Sequence, residues 1–156
     1  MKKAVIIGVG AEQGWGSQLA KRFASEGLHV FIAGRTLSRV QERANEIEQA
    51  GGEATVVCAD ASDEEQVIEL FQKAGSDLCL AVYNAGNNFP GQIIDMDAAY
   101  FENSWKSCCY GGFLFGCEAL RCMVPTGEGT LLFTGASASL RGRPNFGATK
   151  YSPISS

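Results

Sequence analysis

The chain has 156 residues, of which 46% are hydrophobic and 19% charged, and its formal net charge is −4. This length and composition are typical of one globular domain with its own core. The acidic balance argues against a surface for nucleic acid or for an anionic membrane, and no apolar stretch approaches the roughly 20 residues of a membrane span.

Short apolar runs alternate along the chain with amphipathic segments. The apolar runs predict five strands, at 3–9, 28–33, 53–59, 78–83 and 129–135. The segments between them predict helices at 14–26, 37–50, 63–74 and 97–123. Ser62 is the predicted N-cap of the third helix. Because the runs are continuously apolar and alternate with helices, the sequence predicts an α/β fold with a doubly wound parallel sheet.

Cysteine usage indicates a reducing compartment. The chain has no Cys-x-x-Cys pair, and its single histidine, His29, is distant in sequence from every cysteine. We therefore expect no metal site, free and buried thiols, and a cytoplasmic protein, since the apolar N-terminal run is too short for a secretory signal. The six cysteines are Cys58, Cys79, Cys108, Cys109, Cys117 and Cys122.

The segment GVGAEQGWG, residues 8–16, follows the first predicted strand and opens the first helix. Gly10 is predicted to take a tight turn, Gly14 to let the backbone approach a pyrophosphate, and Gly16 to let helix and strand pack closely. The helix N-terminus would supply free N–H donors to phosphate. A purely structural role for these glycines is the alternative.

Four motifs in order make the sequence similar to the short-chain dehydrogenases/reductases across residues 3–148. They are Gly10-x-x-x-Gly14-x-Gly16, Asp60 in CADAS, Asn84-Ala85-Gly86 in YNAG, and GTLLFTGASASLRGRP at 129–144. The resemblance implies a Rossmann-type dinucleotide-binding domain at 1–148. The last segment contains prolines and serines without helical periodicity, which predicts an irregular tail at 149–156. The resemblance also implies that Asp60 lies beside the adenine and that Asn84, Ala85 and Gly86 contact the cofactor. From the residues alone, Asp60 can equally be a loop residue and Asn84 a turn residue.

The end of the second strand favours NADP(H) over NAD(H). A ribose-binding acid is expected about 20 residues beyond the glycine turn, but the segment AGRTLSR has Arg35 there and Arg39 one turn later. An arginine can hold a 2′-phosphate through paired hydrogen bonds, whereas an acid would repel it. The alternative is that Arg35 only begins a solvent-exposed helix.

The family's catalytic residues are only partly matched. The resemblance implies an Asn, a Ser, a Tyr and a Lys for hydride transfer, but Cys108 stands at the Asn position and Ala136 at the Ser position. Ser137 and Ser139 are the adjacent candidates for that serine.

The chain has no Tyr-x-x-x-Lys motif. FGATK, at 146–150, keeps the spacing with Phe146 and Lys150, and Lys150 is the candidate catalytic lysine. An ungapped alignment instead puts Thr149 and Pro153 at these two positions.

Two functions follow from these residues. One is an NADP(H)-dependent oxidoreductase acting on an unidentified carbonyl or alcohol. The other is a nucleotide-binding pseudoenzyme, or an inactive truncated fragment with a binding role, because the later strands and helices of the family are absent. An unrelated nucleotide-binding fold such as a methyltransferase is disfavoured by YNAG and Arg35. We expect a sheet incomplete on its C-terminal side, whose exposed edge promotes self-association or aggregation.

Overall fold

The fold is built on a parallel sheet, and a computed structural model describes it for residues 1–86 and 93–136. In these residues the sheet has five strands in the order β3-β2-β1-β4-β5, and every neighbouring pair is parallel. The strands are β1 (Lys3–Ile7), β2 (His29–Gly34), β3 (Glu53–Cys58), β4 (Leu78–Tyr83) and β5 (Thr130–Phe133). The predicted α/β, Rossmann-type fold with about five strands is confirmed.

Helices cover both faces of the sheet. They are α1 (Trp15–Ser25), α2 (Leu37–Gln49), α3 (Glu64–Ala74), α4 (Ala98–Trp105) and α5 (Gly111–Met123). Helices α1 and α2 share one buried cluster with the sheet face of Ile6 and Ile32, whereas α3 and α5 share another with the face of Val5 and Phe31. Since neighbouring strand residues point to opposite faces, this explains why the central strands are continuously apolar after their first residue, over 4–7 in β1 and 30–33 in β2.

The spacing of apolar residues accounts for the helical faces. In α2 the buried apolar residues are Val40, Ala44 and Ile47, which recur at intervals of four and three. Such spacing puts them on one side of a helix, against the sheet. Gly51, with a φ of 83°, follows the helix and turns the chain into β3, a conformation that favours glycine.

Two predicted helix boundaries differ in the structure. The N-cap of α3 is Asp63, whose carboxylate accepts a hydrogen bond from the Gln66 N–H at 3.1 Å. The prediction of Ser62 was therefore wrong, and its hydroxyl donates instead to Asp60 at 2.7 Å. The predicted helix at 97–123 is divided into α4 and α5 by a π-helical turn at Lys106–Tyr110.

Some apolar residues of the outer strand β5 and the cysteines are partly exposed. In β5, Leu132 and Phe133 are 43% and 38% exposed. All six cysteines are free, as expected, but the prediction that they are buried was wrong, because Cys58 is exposed and the other five are half-buried. In residues 1–86 and 93–136, no helix is long and apolar enough to cross a membrane.

Candidate cofactor-binding site

The carboxyl ends of β1, β2 and β4 border one cavity of about 260 Å³. The cavity lies where the strand order reverses, between β1 and β4, which is where open α/β sheets bind ligands. Its lining includes seven of the eight residues predicted to bind cofactor: Gly10, Gly14, Arg35, Asp60, Asn84, Ala85 and Gly86. The eighth, Gly16, lies in the first turn of α1, outside this lining.

Helix α1 packs directly on the end of β1. A Cβ added to Gly16 would lie 2.6 Å from the Gly8 carbonyl oxygen and 2.9 Å from Nδ2 of Asn84. These distances are too short for any side chain, so close packing of helix and strand requires a glycine here. The buried hydroxyl of Ser17 donates to the Ala11 carbonyl at 2.7 Å and fixes the preceding loop.

The chain bends at Gly8, directly after β1. The φ of Gly8 is 90°, and an added Cβ would lie 2.5 Å from the backbone of Asn84 and Ala85. A Cβ at Gly10 would meet nothing within 4 Å, and its φ lies outside the left-handed region. The turn-forming role predicted for Gly10 was therefore wrong. Its bare backbone instead borders the open space of the cavity.

Asn84 connects β4 to the glycine loop, residues 8–14. Its side-chain amide donates to the Gly8 carbonyl at 3.0 Å, and its backbone N–H donates to the Ile7 carbonyl at 2.9 Å. Both alternatives from the sequence therefore have a structural basis, since Asn84 holds a turn and also lines the cavity.

Asp60 organises the loop between β3 and α3. Its Oδ1 accepts hydrogen bonds from the Ser62 N–H at 2.9 Å and the Ser62 hydroxyl at 2.7 Å. Its own N–H donates to Oε1 of Gln66 at 2.8 Å. Asp60 is therefore a loop-stabilising residue that also borders the cavity.

Positive charge accumulates where β2 ends. Arg35 and Arg39 line the cavity, both are exposed, and neither forms an ion pair within residues 1–86 and 93–136. Asp60 is the one carboxylate among the lining residues described. The end of the cavity at β2 is therefore suited to an anionic group.

Tyr83, the last residue of β4, supports the cavity wall on the side away from the arginines at the end of β2. It is 3% exposed, and its hydroxyl donates to the Ser107 carbonyl in the π-helical turn. Burial raises its pKa, and the negative charges that Cys108, Asp60 and Cys109 can carry raise it further. Tyr83 therefore stays a neutral hydrogen-bond donor, and Ser107 is thereby held at the cavity wall.

The predicted catalytic residues Ser137, Ser139 and Lys150 lie outside the described residues, as does the predicted tail at 149–156. Cys108 is described and lies in the π-helical turn. Its Sγ would be 3.7 Å from a Cβ added to Gly86. A half-buried thiol therefore stands beside the cavity at the position where the family resemblance implied an asparagine.

Sequence reasoning missed three polar residues of the site, Ser17, Thr36 and Ser107. Ser17 directly follows Gly16 in the first turn of α1. Its sequence position next to the glycine motif therefore indicated that it lies near the loop. Ser107 had no such indication, because the π-helical turn that directs it to the cavity cannot be read from the apolar periodicity.

A comparison with protein families assigns the chain. The model of the short chain dehydrogenase family matches residues 3–152. The chain belongs to this family. A crystal structure of a short-chain dehydrogenase from Rhodopseudomonas palustris has a TM-score of 0.87 and 32% identity, covering 99% of this chain and 74% of that chain.

Two curated relatives that this chain resembles are longer than it is. Dehydrogenase/reductase SDR family member 1 of Mus musculus is 26% identical over 152 residues, which are 90% of this chain and 49% of the relative. Glucose 1-dehydrogenase of Gluconobacter oxydans is 30% identical over 151 residues, which are 92% of this chain and 56% of the relative. The chain therefore spans about half the length of these relatives.

Proposed function

We propose that this chain binds NADP(H) in the cavity between β1, β2 and β4 and serves an oxidoreductase that acts on a carbonyl or alcohol. A nicotinamide cofactor supplies a hydride acceptor or donor when it is bound. The residues of this chain would hold its phosphates and orient it along the strand ends.

The observation that carries the proposal is the pair of arginines in the cavity wall. Arg35 and Arg39 border the cavity without an ion-pair partner among the described residues. A hydrogen bond to a charged group contributes about 1.5–3 kcal/mol, which is about 10- to 150-fold in affinity. This supports a preference for the cofactor that carries a 2′-phosphate.

The glycine loop fits a pyrophosphate. Gly14 is the N-cap of α1, the first turn of this helix contains no acid, and the open side of Gly10 borders the cavity. The first N–H groups of a helix have no intrahelical acceptor, and the helix dipole favours an anion there. The loop and helix end thus offer donors without a competing carboxylate in the first turn.

A nucleotide-binding protein without turnover is the second candidate. Cys108 beside Gly86 favours it, because a thiol is a weak hydrogen-bond donor at the position implied for asparagine. The absence of a Tyr-x-x-x-Lys motif from the sequence favours it as well. Consumption of NADPH with a panel of aldehydes and ketones distinguishes the two, since only the oxidoreductase oxidises the cofactor.

Titration with NADPH and with NADH, followed by fluorescence, tests the cofactor assignment. We expect NADPH to bind at least about tenfold more tightly, and Arg35→Glu to abolish this preference. Arg22→Glu is the matched control, since it makes the same charge change on an exposed residue of α1 that pairs with Glu26. Equal affinity for the two cofactors would contradict the NADP(H) preference, and binding of neither would contradict the cofactor site itself.

A further inference from the structure

Arg43 is a buried cation surrounded by acids. It lies one helical turn beyond Arg39 in α2, and its side chain is 8% exposed. One terminal nitrogen, Nη2, lies 2.8 Å from Glu46 and 3.2 Å from Glu42. The other, Nη1, lies 4.0 Å from Glu12 and has no hydrogen-bond partner in the described part of the chain.

Glu12 is the one charged residue of the glycine loop at 8–14. Its neighbour Ala11 lines the cavity, its backbone carbonyl accepts from Nε2 of Gln18 at 2.9 Å, and its side chain is 69% exposed. An acid in this loop is unfavourable for a site that receives phosphates. Oε2 of the Glu12 carboxylate lies 4.0 Å from Nη1 of Arg43, which follows Arg39 by one helical turn.

Arg39 is the alternative partner for this carboxylate, because it lies one helical turn before Arg43 on α2. Residues four apart on a helix are neighbours, about 5–6 Å between Cβ atoms, so an acid held at Arg43 is also within reach of Arg39. Arg43 already pairs with Glu42 and with Glu46, which also pairs with Lys21 at 2.7 Å, but Nη1 and Nε of Arg43 still lack acceptors. A buried donor without a partner is costly, which favours Glu12 at Arg43 over Glu12 at the exposed Arg39.

We propose that Arg43 is a positioning residue that sequesters Glu12 and so keeps Arg39 and Arg35 free for the 2′-phosphate of NADP(H). The inference rests on the proposed function. Arg43 itself would not touch the cofactor. Without it, Glu12 would pair with Arg39 and would repel the phosphate.

The test is the ratio of NADPH to NADH affinity in four proteins: the wild type, Arg43→Gln, Arg43→Gln with Glu12→Gln, and Arg43→Gln with Glu42→Gln. We expect Arg43→Gln to lower the ratio about tenfold, the value of one charged hydrogen bond. Adding Glu12→Gln should restore the ratio. Adding Glu42→Gln should not, although it gives the same net charge, because Glu42 lies on α2 and not on the glycine loop. Equal losses for NADPH and NADH, or rescue by both acids alike, would overturn the proposal.

Glu12→Gln alone gives a test that does not depend on the folding of the Arg43 variants. If Arg43 sequesters Glu12, removing this acid leaves the affinity ratio at its wild-type value. A rise of about tenfold would show that Glu12 opposes the phosphate even with Arg43 present, which overturns the proposal. Failure of the wild type to prefer NADPH would instead contradict the proposed function, so the two failures are distinguishable.

Discussion

The side-chain amide of Asn84 donates to the carbonyl oxygen of Gly8 across 3.0 Å. This bond joins the end of β4 to the start of the glycine loop, at the point where the strand order reverses. Asn84 therefore connects the two strand ends that border the cavity, and the shape of the cavity depends on it.

Asn84→Asp should destabilise the protein by about 1–3 kcal/mol, because it replaces the donor with a carboxylate facing the Gly8 carbonyl. The free energy of unfolding in urea measures the loss. Asn45→Asp is the control, since Asn45 is exposed on α2 and such a change should stay within about 0.5 kcal/mol. Equal stability of the Asn84 variant and the wild type would mean that this hydrogen bond does not hold the loop.

Two glycines of one motif should respond oppositely to alanine. Gly16→Ala places a Cβ 2.6 Å from the Gly8 carbonyl, which should lower the free energy of unfolding by about 1–3 kcal/mol. A Cβ at Gly10 has no neighbour within 4 Å, so Gly10→Ala should keep its stability but weaken NADPH binding by occupying the cavity. Urea unfolding and NADPH titration of both variants measure the two effects. Loss of stability in Gly10→Ala, or none in Gly16→Ala, would contradict this division of roles.

The architecture was predictable because its determinants are local. Val40, Ala44 and Ile47 recur at helical spacing in α2, and the continuous apolar run of β1 marks a strand covered on both faces. For the candidate site, the sequence predicted which residues lie near the cavity but not the contacts between them. Asp60 follows β3 and Asn84 follows β4, and the carboxyl ends of parallel strands lie at one edge of the sheet.

The details that sequence reasoning missed depend on tertiary contacts. Gly8, and not Gly10, is the position after β1 that requires a glycine, because its φ is 90° and a Cβ there would lie 2.5 Å from the Asn84 backbone. This contact joins two segments that are far apart in sequence. Asp63 replaces Ser62 as the N-cap because Asp60 accepts the Ser62 hydroxyl. The spacing of apolar residues in the sequence does not reveal the π-helical turn. The contact of Tyr83 with Ser107 in this turn could therefore not be predicted.

Tyr83 should make stability fall in alkaline solution. Its folded pKa is raised above the ordinary 10.0, so the folded state keeps its proton where the unfolded state loses it. The stabilisation that the buried Tyr83 hydroxyl gives the folded state is therefore complete below pH 10. It declines as the pH rises above 10. Urea unfolding from about pH 8 to about pH 11 should show a smaller alkaline decline in Tyr83→Phe than in the wild type.

Tyr110→Phe is the matched control for this experiment. Tyr110 lies in the same π-helical turn and stacks on Trp105, but it leaves the bond from Tyr83 to Ser107 in place. The alkaline decline should therefore persist in this variant. If Tyr83→Phe retained the full decline, the burial of the Tyr83 hydroxyl would not be its cause.

We propose that the edge at β5 promotes self-association. In the described residues β5 is the outermost strand on its side of the sheet, and Leu132 is 43% exposed. Phe133 lies against Gly116 of α5, so the alternation of side chains directs Leu132 to the opposite face. An unpaired edge with exposed apolar residues is a template for another strand, and a lysine on such an edge disfavours pairing.

Leu132→Lys should therefore shift the protein toward monomer in sedimentation velocity. Val124→Lys is the control and should not, since Val124 is exposed away from the strand, in the turn after α5. A wild type that stays monomeric as its concentration is raised would contradict the proposal.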